Sequence, residues 1–262
     1  MNSSYLKASE VFHTTFDTQE YFESLSAEYT KNTLVKVIES NKVPLLFLLG
    51  EPGVGKTYMI NILKAKFSVK KKLLYSSEPF LTPESFLHFL LEDSTDESNL
   101  SQLKKMVVLK YEKCDNLIII DEAQLLSDTV LEYIRILSDT KHFNFLLSMH
   151  KGDGDKIVKK SHFLSRDHRV ITLGVLEENE IKRYIEAQLL RNSLGSLADM
   201  FGKQQIKLLA KFSSGNFRML KQLLKHTFSI MDYAKTHGHN KNAVVNRCVL
   251  TMAAIDLEII DA

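Results

Sequence analysis

Little of this chain is given over to linkers, crosslinks or membrane. Ten Gly and four Pro among 262 residues leave no room for long disordered or repetitive connections, and no internal repeat is visible. Only two cysteines occur, Cys114 and Cys248, without metal or redox spacing, which fits a reducing compartment. The apolar runs around Val43–Leu49 and Leu117–Ile120 are far too short to span a bilayer. Met1–Glu10 lacks the apolar core of a signal peptide. A cytoplasmic protein is expected, with no direct membrane insertion and any membrane association made through a partner. A formal net charge of +2 points to no partner by itself.

What is present has the balance of an ordinary globular protein, with 44% hydrophobic and 25% charged residues. Over the first two-thirds, short apolar runs alternate with helical patterns. Leu45–Leu49, Leu73–Ser76, Leu117–Ile120, Phe143–Met149 and Val170–Leu173 read as strands. Between them, Lys56–Phe67, Pro83–Leu90 and Leu100–Tyr111 read as helices, and Leu131, Ile134 and Leu137 mark a further one; Glu92–Asn99 reads as a surface loop. Such alternation predicts an α/β fold with a mainly parallel five-stranded sheet. After Gly174 only helices are predicted, over Glu177–Leu190, Gln204–Phe212, Phe217–Ala234 and Asn242–Leu257. The expected organisation is an N-terminal segment and helix packing on the core (1–40), an α/β core (41–174) and a C-terminal helical subdomain (175–262).

Gly50-Glu-Pro-Gly-Val-Gly-Lys-Thr57 matches the G-x-x-x-x-G-K-[ST] phosphate loop between a predicted strand and helix, the context this motif needs. Backbone amides must turn inward around phosphate oxygens, and side chains at Gly53 and Gly55 would obstruct them. The following helix start adds positive partial charge. Glu51, Pro52, Gly53, Val54, Gly55, Lys56, Thr57 and Tyr58 are thus the expected nucleotide-binding positions. Lys56 would reach the β- and γ-phosphates, and Thr57 would coordinate Mg²⁺. A second, acidic site is expected one strand away, and Leu117-Ile-Ile-Ile-Asp-Glu122 supplies it. Asp121 at the strand end would sit by the Mg²⁺, and Glu122 would polarise the attacking water. ATP and Mg²⁺ are the expected cofactors, and hydrolysis the expected chemistry.

Other polar positions admit two readings each. His150 ends the fourth predicted strand and either points at the γ-phosphate or the water, or lies in a surface turn. Arg166 and Arg169 flank the fifth; Arg166 either completes a neighbouring subunit's site or belongs to a solvated basic loop with Lys159 and Lys160. Arg218, in Gly215-Asn-Phe-Arg218, either faces the phosphates or meets water at a helix start.

Together these residues resemble the AAA+ ATPases, and within them the branch of the secretion ATPase ExeA, the pilus protein MshM and the transposition protein TniB. Asp121-Glu-Ala-Gln-Leu-Leu-Ser127 with Leu131, Glu132, Arg135, Leu137 and Ser138 resembles that branch's D-E-A-Q-x-L-S segment and following helix. Leu164-Ser-Arg166 with Leu173-Gly174 is similar to its L-x-Q-R-[IV] turn and next strand, and Ser214-Gly-Asn-Phe-Arg218 to its lid motif S-x-G-x-x-R. Phe16–Val37 is similar to its N-terminal stretch and helix. The resemblance implies a P-loop AAA+ core with a helical lid, Arg166 as arginine finger, His150 as sensor, Arg218 as second sensor, and an ATP-dependent homo-oligomer. It also implies service to an inner-membrane secretion, pilus or DNA-uptake machine, which the protein would join peripherally. Met149-His-Lys-Gly-Asp153 departs from the branch's G-Q-P-E-L, so a histidine stands where the sensor glutamine is usual. The chain ends near the lid, so the membrane span and peptidoglycan-binding extension of longer members are expected to be lacking.

Gly152-Asp-Gly-Asp155 lacks a calcium-loop framework and reads as a turn, and His237-Gly-His239 is an incomplete metal set. Phe12, Phe16, Tyr21 and Phe22 are expected in the core, one or two of them lining an adenine pocket. Lys203–Arg247 holds nine Lys or Arg and one acid, Asp232. Lys203, Lys207 and Lys211, and again Lys221 and Lys225, form basic stripes that are either a solvated face or a contact for DNA phosphates. Three functions follow: a motor for membrane-machine assembly, a DNA-associated transposition ATPase, or an ATP-gated adaptor with little turnover.

Overall fold

The computed structural model describes residues 3–13, 22–92 and 97–261. In chain order the elements are α1 (Ser4–Val11), α2 (Leu25–Ser40), β1 (Leu45–Gly50), α3 (Lys56–Phe67), β2 (Lys72–Ser76), α4 (Pro83–Leu91), α5 (Leu100–Tyr111), β3 (Asn116–Ile120), α6 (Asp128–Asp139), β4 (Phe145–His150), α7 (Lys151–Val158), α8 (Ser161–Leu164), β5 (His168–Thr172), α9 (Glu178–Arg191), α10 (Lys203–Ser213), α11 (Phe217–Thr236) and α12 (Arg247–Asp256). They form two compact units. One comprises Ala27–Glu51 and Lys56–Leu173, the other Met1–Ser26, Pro52–Gly55 and Gly174–Ala262.

The first unit holds a five-stranded sheet in the order β2-β3-β4-β1-β5. All its pairings are parallel, as expected from the sequence. β1 and β3 are buried along their whole length, which is why both read as unbroken apolar runs rather than alternating ones. One sheet face carries Leu45, Phe47 and Leu49 of β1, Ile118 and Ile120 of β3, and Phe145, Leu147 and Met149 of β4. These pack with Phe86 and Leu90 of α4, Leu103 and Val107 of α5, and Ile134 and Leu137 of α6. Alternation along the strands sends Leu46, Leu48, Ile119 and Ser148 to the opposite face.

Local chemistry starts the helices where they start. Thr82 caps α4 with Pro83 in its first turn, Asn99 caps α5, and Ser127 caps α6 by accepting from the Val130 N–H. The loop expected at Glu92–Asn99 opens with Glu92 as the left-handed cap of α4; positions 93–96 lie outside the described residues.

Strand boundaries move by a residue or two. β4 begins at Phe145 and includes His150, and β5 begins at His168 rather than Val170. A larger correction concerns Gly152-Asp-Gly-Asp155, which is not a turn but lies within α7. Gly154 lies so close to Leu49 and Met149 that a Cβ there would meet Leu49 Cδ2 at 2.3 Å. Packing onto β1 and β4 therefore overrides the poor helix propensity of two glycines.

The second unit is helical. Tyr5, Ala8 and Phe12 join Ile181, Tyr184, Leu220, Leu224, Phe228 and Leu250 in one apolar core. Phe12 stacks on Phe228 at 5.8 Å and meets Tyr184 edge-on at 6.0 Å, while Phe22 meets Tyr184 at 5.4 Å. Phe12 is therefore a core aromatic; Phe16 and Tyr21 lie outside the described residues. The helix expected over Asn242–Leu257 is shorter, because Asn246 caps α12 by accepting from the Val249 N–H. Lys203, Lys207 and Lys211 are exposed, but Lys221 is only 6% exposed, so the second basic stripe does not form.

Candidate active site

β1 delivers the chain to Gly50, and α3 takes it up again at Lys56. Gly53 and Gly55 both adopt positive φ, +81° and +107°, where a side chain is strained. A Cβ at Gly55 would meet nothing within 4 Å, so the space beside the loop is open, and a side chain there would occupy it. Glu51 and Pro52 are exposed; Val54 and Tyr58 are half-buried.

Lys56 is 6% exposed, and its Nζ donates to the Gly50 carbonyl at 2.9 Å and the Glu51 carbonyl at 3.2 Å. The ammonium thus also braces the loop's own backbone. The Thr57 hydroxyl donates to Asp121 Oδ2 at 2.8 Å. Asp121, 4% exposed, is fixed by its N–H to the Ser76 carbonyl at 2.9 Å. Hydroxyl and carboxylate oxygens side by side are the donor chemistry a hard cation such as Mg²⁺ takes.

Glu122 has a left-handed backbone, φ 50°, uncommon outside glycine and found often at functional positions. Its N–H donates to Asp121 Oδ1 at 3.0 Å. β4 lies between β1 and β3 and ends at His150, which pairs in register with Gly50. His150 is accordingly half-buried and does not lie in a surface turn; its Nε2 is 3.3 Å from Glu122 Oε2. Lys56, Thr57, Asp121, Glu122 and His150 therefore all come from one end of the sheet.

Arg166 does not join them. It precedes β5, whose His168 pairs with Leu45 at the start of β1, whereas the loop follows the end of β1. Six strand residues at about 3.3 Å each put roughly 20 Å between the two ends. There Arg166, 39% exposed, donates through Nε to Asp139 Oδ1 at 2.8 Å. It borders a cavity of about 470 Å³ lined also by Lys42, Asp115, Lys141 and His142. Asp139 is shared with Arg135 Nη1, also at 2.8 Å. In the helical unit, Arg218 is exposed at the start of α11, and its backbone N–H donates to the Gly53 carbonyl at 3.1 Å.

Four further positions carry no role predicted from the sequence. Gln124 contacts both Glu122 and His150. Ser148 buries a hydroxyl without a hydrogen-bond partner on the sheet face opposite Met149, one residue beyond the Ile120–Leu147 pair. Asn216 donates to the Pro52 carbonyl while capping α11. The Tyr75 hydroxyl is held above its ordinary pKa, first by burial and then by the charge of Asp121. Gln124 and Asn216 carried an advance signal, as parts of the D-E-A-Q and Gly215-Asn-Phe-Arg218 segments. Among the described residues no group of three or more His, Cys, Asp or Glu could hold a metal ion.

The parallel sheet with its phosphate loop, and the helical region after it, are a P-loop AAA+ fold. Residues 41–157 match the family model described as an AAA domain. Among solved structures the chain is similar to Drosophila ORC bound to DNA, with 13% identity and a TM-score of 0.64 over 98% of this chain and 66% of that one. It is similar to the Thermotoga maritima RuvB Holliday junction branch migration motor, with 16% identity and a TM-score of 0.56 over 94% and 72%. Domain III of the Thermotoga maritima replication initiation protein DnaA gives 18% identity and 0.55 over 93% and 97%. At such identities these likenesses establish the fold alone. Comparison with curated protein sequences gives no match. No helix among the described residues is long and apolar enough to cross a membrane.

Proposed function

We propose that the chain hydrolyses ATP with Mg²⁺ at the loop Gly50–Thr57. The observation that carries this reading is the 2.8 Å contact between Thr57 Oγ1 and Asp121 Oδ2, with Glu122 next in the chain. The backbone N–H groups within residues 51–58, Pro52 having none, and the Lys56 ammonium would bind the phosphate oxygens, while Thr57 and Asp121 would hold the cation. When bound, Mg²⁺ neutralises charge developing on the transferring phosphoryl group. Glu122 takes the proton from water as its oxygen bonds to the γ-phosphorus, and the electrons of the broken bond leave on the β,γ-bridging oxygen of ADP. His150 serves as sensor beside Glu122, and Arg218 as second sensor.

Arg166 acts on a neighbouring copy. Its place at the far end of its own sheet supports this, because a group some 20 Å from its own loop is out of reach of its own chain's nucleotide. The working form is then a homo-oligomer. The organisation into a segment at 1–40, a core at 41–174 and a lid at 175–262 belongs to the same reading.

For the client, the D-E-A-Q-x-L-S segment supports a cytoplasmic motor that powers or regulates a secretion, pilus or DNA-uptake assembly, reaching the inner membrane through a partner. One observation favours a second reading, action on DNA. Lys207, Lys211 and Arg247 line a common groove of about 700 Å³, which offers basic contacts for duplex phosphates. DNA affinity that falls steeply with salt selects the second reading, and a flat response the first.

The test of the hydrolase itself is Glu122→Gln. The variant is expected to bind ATP as the native chain does and to lose turnover at least a hundredfold, because an amide cannot accept the proton. Turnover within a few-fold of native would remove Glu122 from the chemistry.

A further inference from the structure

The geometry points to Gln124 as the positioning residue that presents Glu122 to the attacking water. The inference rests on Glu122 being the general base proposed above. Gln124 lies in the short turn Ala123–Leu125, which is held to Glu122 by the Leu125 N–H donating to the Glu122 carbonyl at 3.0 Å. Its carboxamide has one accepting and one donating end. The His150 backbone N–H can only donate, and it lies 3.2 Å from Gln124 Oε1. That contact fixes the orientation of the amide. The donating end, Nε2, is then turned to Glu122 Oε2 at 2.5 Å.

The His150 ring borders the same oxygen, its Nε2 lying 3.3 Å from Glu122 Oε2. The other ring nitrogen, Nδ1, faces Gln124 Nε2 at 3.5 Å. The Gln124 donor thus holds Oε2 and leaves Oε1 to take the proton from water. Gln124 also ties together the ends of β3 and β4, which carry Glu122 and His150 but do not themselves fix either side chain. The left-handed backbone of Glu122 makes such a tie necessary, since nothing in a regular strand ending would aim the carboxylate.

Two variants separate aiming from bracing. Gln124→Glu keeps the acceptor for the His150 N–H and replaces only the donor; Gln124→Met keeps the length without either hydrogen bond or charge. Both are compared with native protein and Glu122→Gln for turnover, for ATP affinity by calorimetry, and for hydrogen exchange at the His150 amide. Both should lower kcat at least tenfold while the ATP dissociation constant stays within threefold. Protection of the His150 amide should survive in Gln124→Glu and fall in Gln124→Met, a pattern a merely structural role would not give. Turnover within twofold of native in either variant, with Glu122→Gln inactive, overturns the positioning role alone. An active Glu122→Gln instead overturns the base assignment and this inference with it. Should Gln124→Glu not fold, the loss of kcat in Gln124→Met decides.

Discussion

Lys56 combines two duties that its motif does not separate. The phosphate-loop pattern predicts a cation for phosphates, and nothing in the sequence suggests more. The structure also engages its Nζ with two carbonyls of the loop. Lys56→Ala should therefore raise the ATP dissociation constant at least tenfold, about 1.4 kcal/mol. It should also lower unfolding stability by roughly 1–3 kcal/mol, because two carbonyls lose their donor. Calorimetric titration reads the first and urea unfolding the second; a variant unchanged in both would place Lys56 outside the site. Asp121 and Glu122 were legible because a fully apolar strand ending in two acids is a rare pattern once a phosphate loop precedes it. Gln124 was not, since its contacts depend on β4 lying beside β3, which residue order along one strand does not reveal.

At the scale of elements, the parallel sheet could be read because its central strands are buried on both faces and therefore uniformly apolar. α7 could not, because its sequence argues against it and only its seat on β1 and β4 makes it a helix. Gly154→Ala sets the two effects against each other. Alanine gains about 1 kcal/mol of helix propensity, but its Cβ would stand 2.3 Å from Leu49 Cδ2 and 3.3 Å from Met149 Cβ. Overpacking in a close-packed core costs about 1–3 kcal/mol, so net destabilisation is expected, visible as a lowered urea midpoint with an unchanged slope. A stabilised Gly154→Ala would mean that Leu49 repacks freely. Lys221 teaches a related lesson. Periodicity correctly put Lys221 and Lys225 on neighbouring turns, yet it could not say that Lys221 would be covered.

For the molecule as a whole, the role proposed for Arg166 on a neighbouring copy would make activity a property of more than one chain. An arginine finger contributes on the order of 10³–10⁵ in rate. Turnover per subunit should accordingly rise with protein concentration. Arg166→Ala should bind ATP nearly as the native chain does and hydrolyse it poorly. Mixed with Glu122→Gln, it should regain part of the turnover, since one interface then joins an intact Glu122 to an intact Arg166. The pair with Asp139 is exposed and worth little, so it is not expected to hold the arginine back. A rate per subunit flat with dilution, and no rescue on mixing, would return Arg166 to the solvated-loop reading that the sequence had left open.

The hydrogen bonds from Asn216 and Arg218 to Pro52 and Gly53 have a consequence for the order in which the protein comes into being. A ribosome adds residues at about 5–20 per second, so some 160 residues separate the loop tip from its clasp by many seconds of synthesis. All five strands have been made by Thr172, and the sheet can assemble while the chain is still being extended. The tip of the phosphate loop must wait for α11. A nascent chain can thus own every residue of the nucleotide motif before it owns the groups that hold the tip in place.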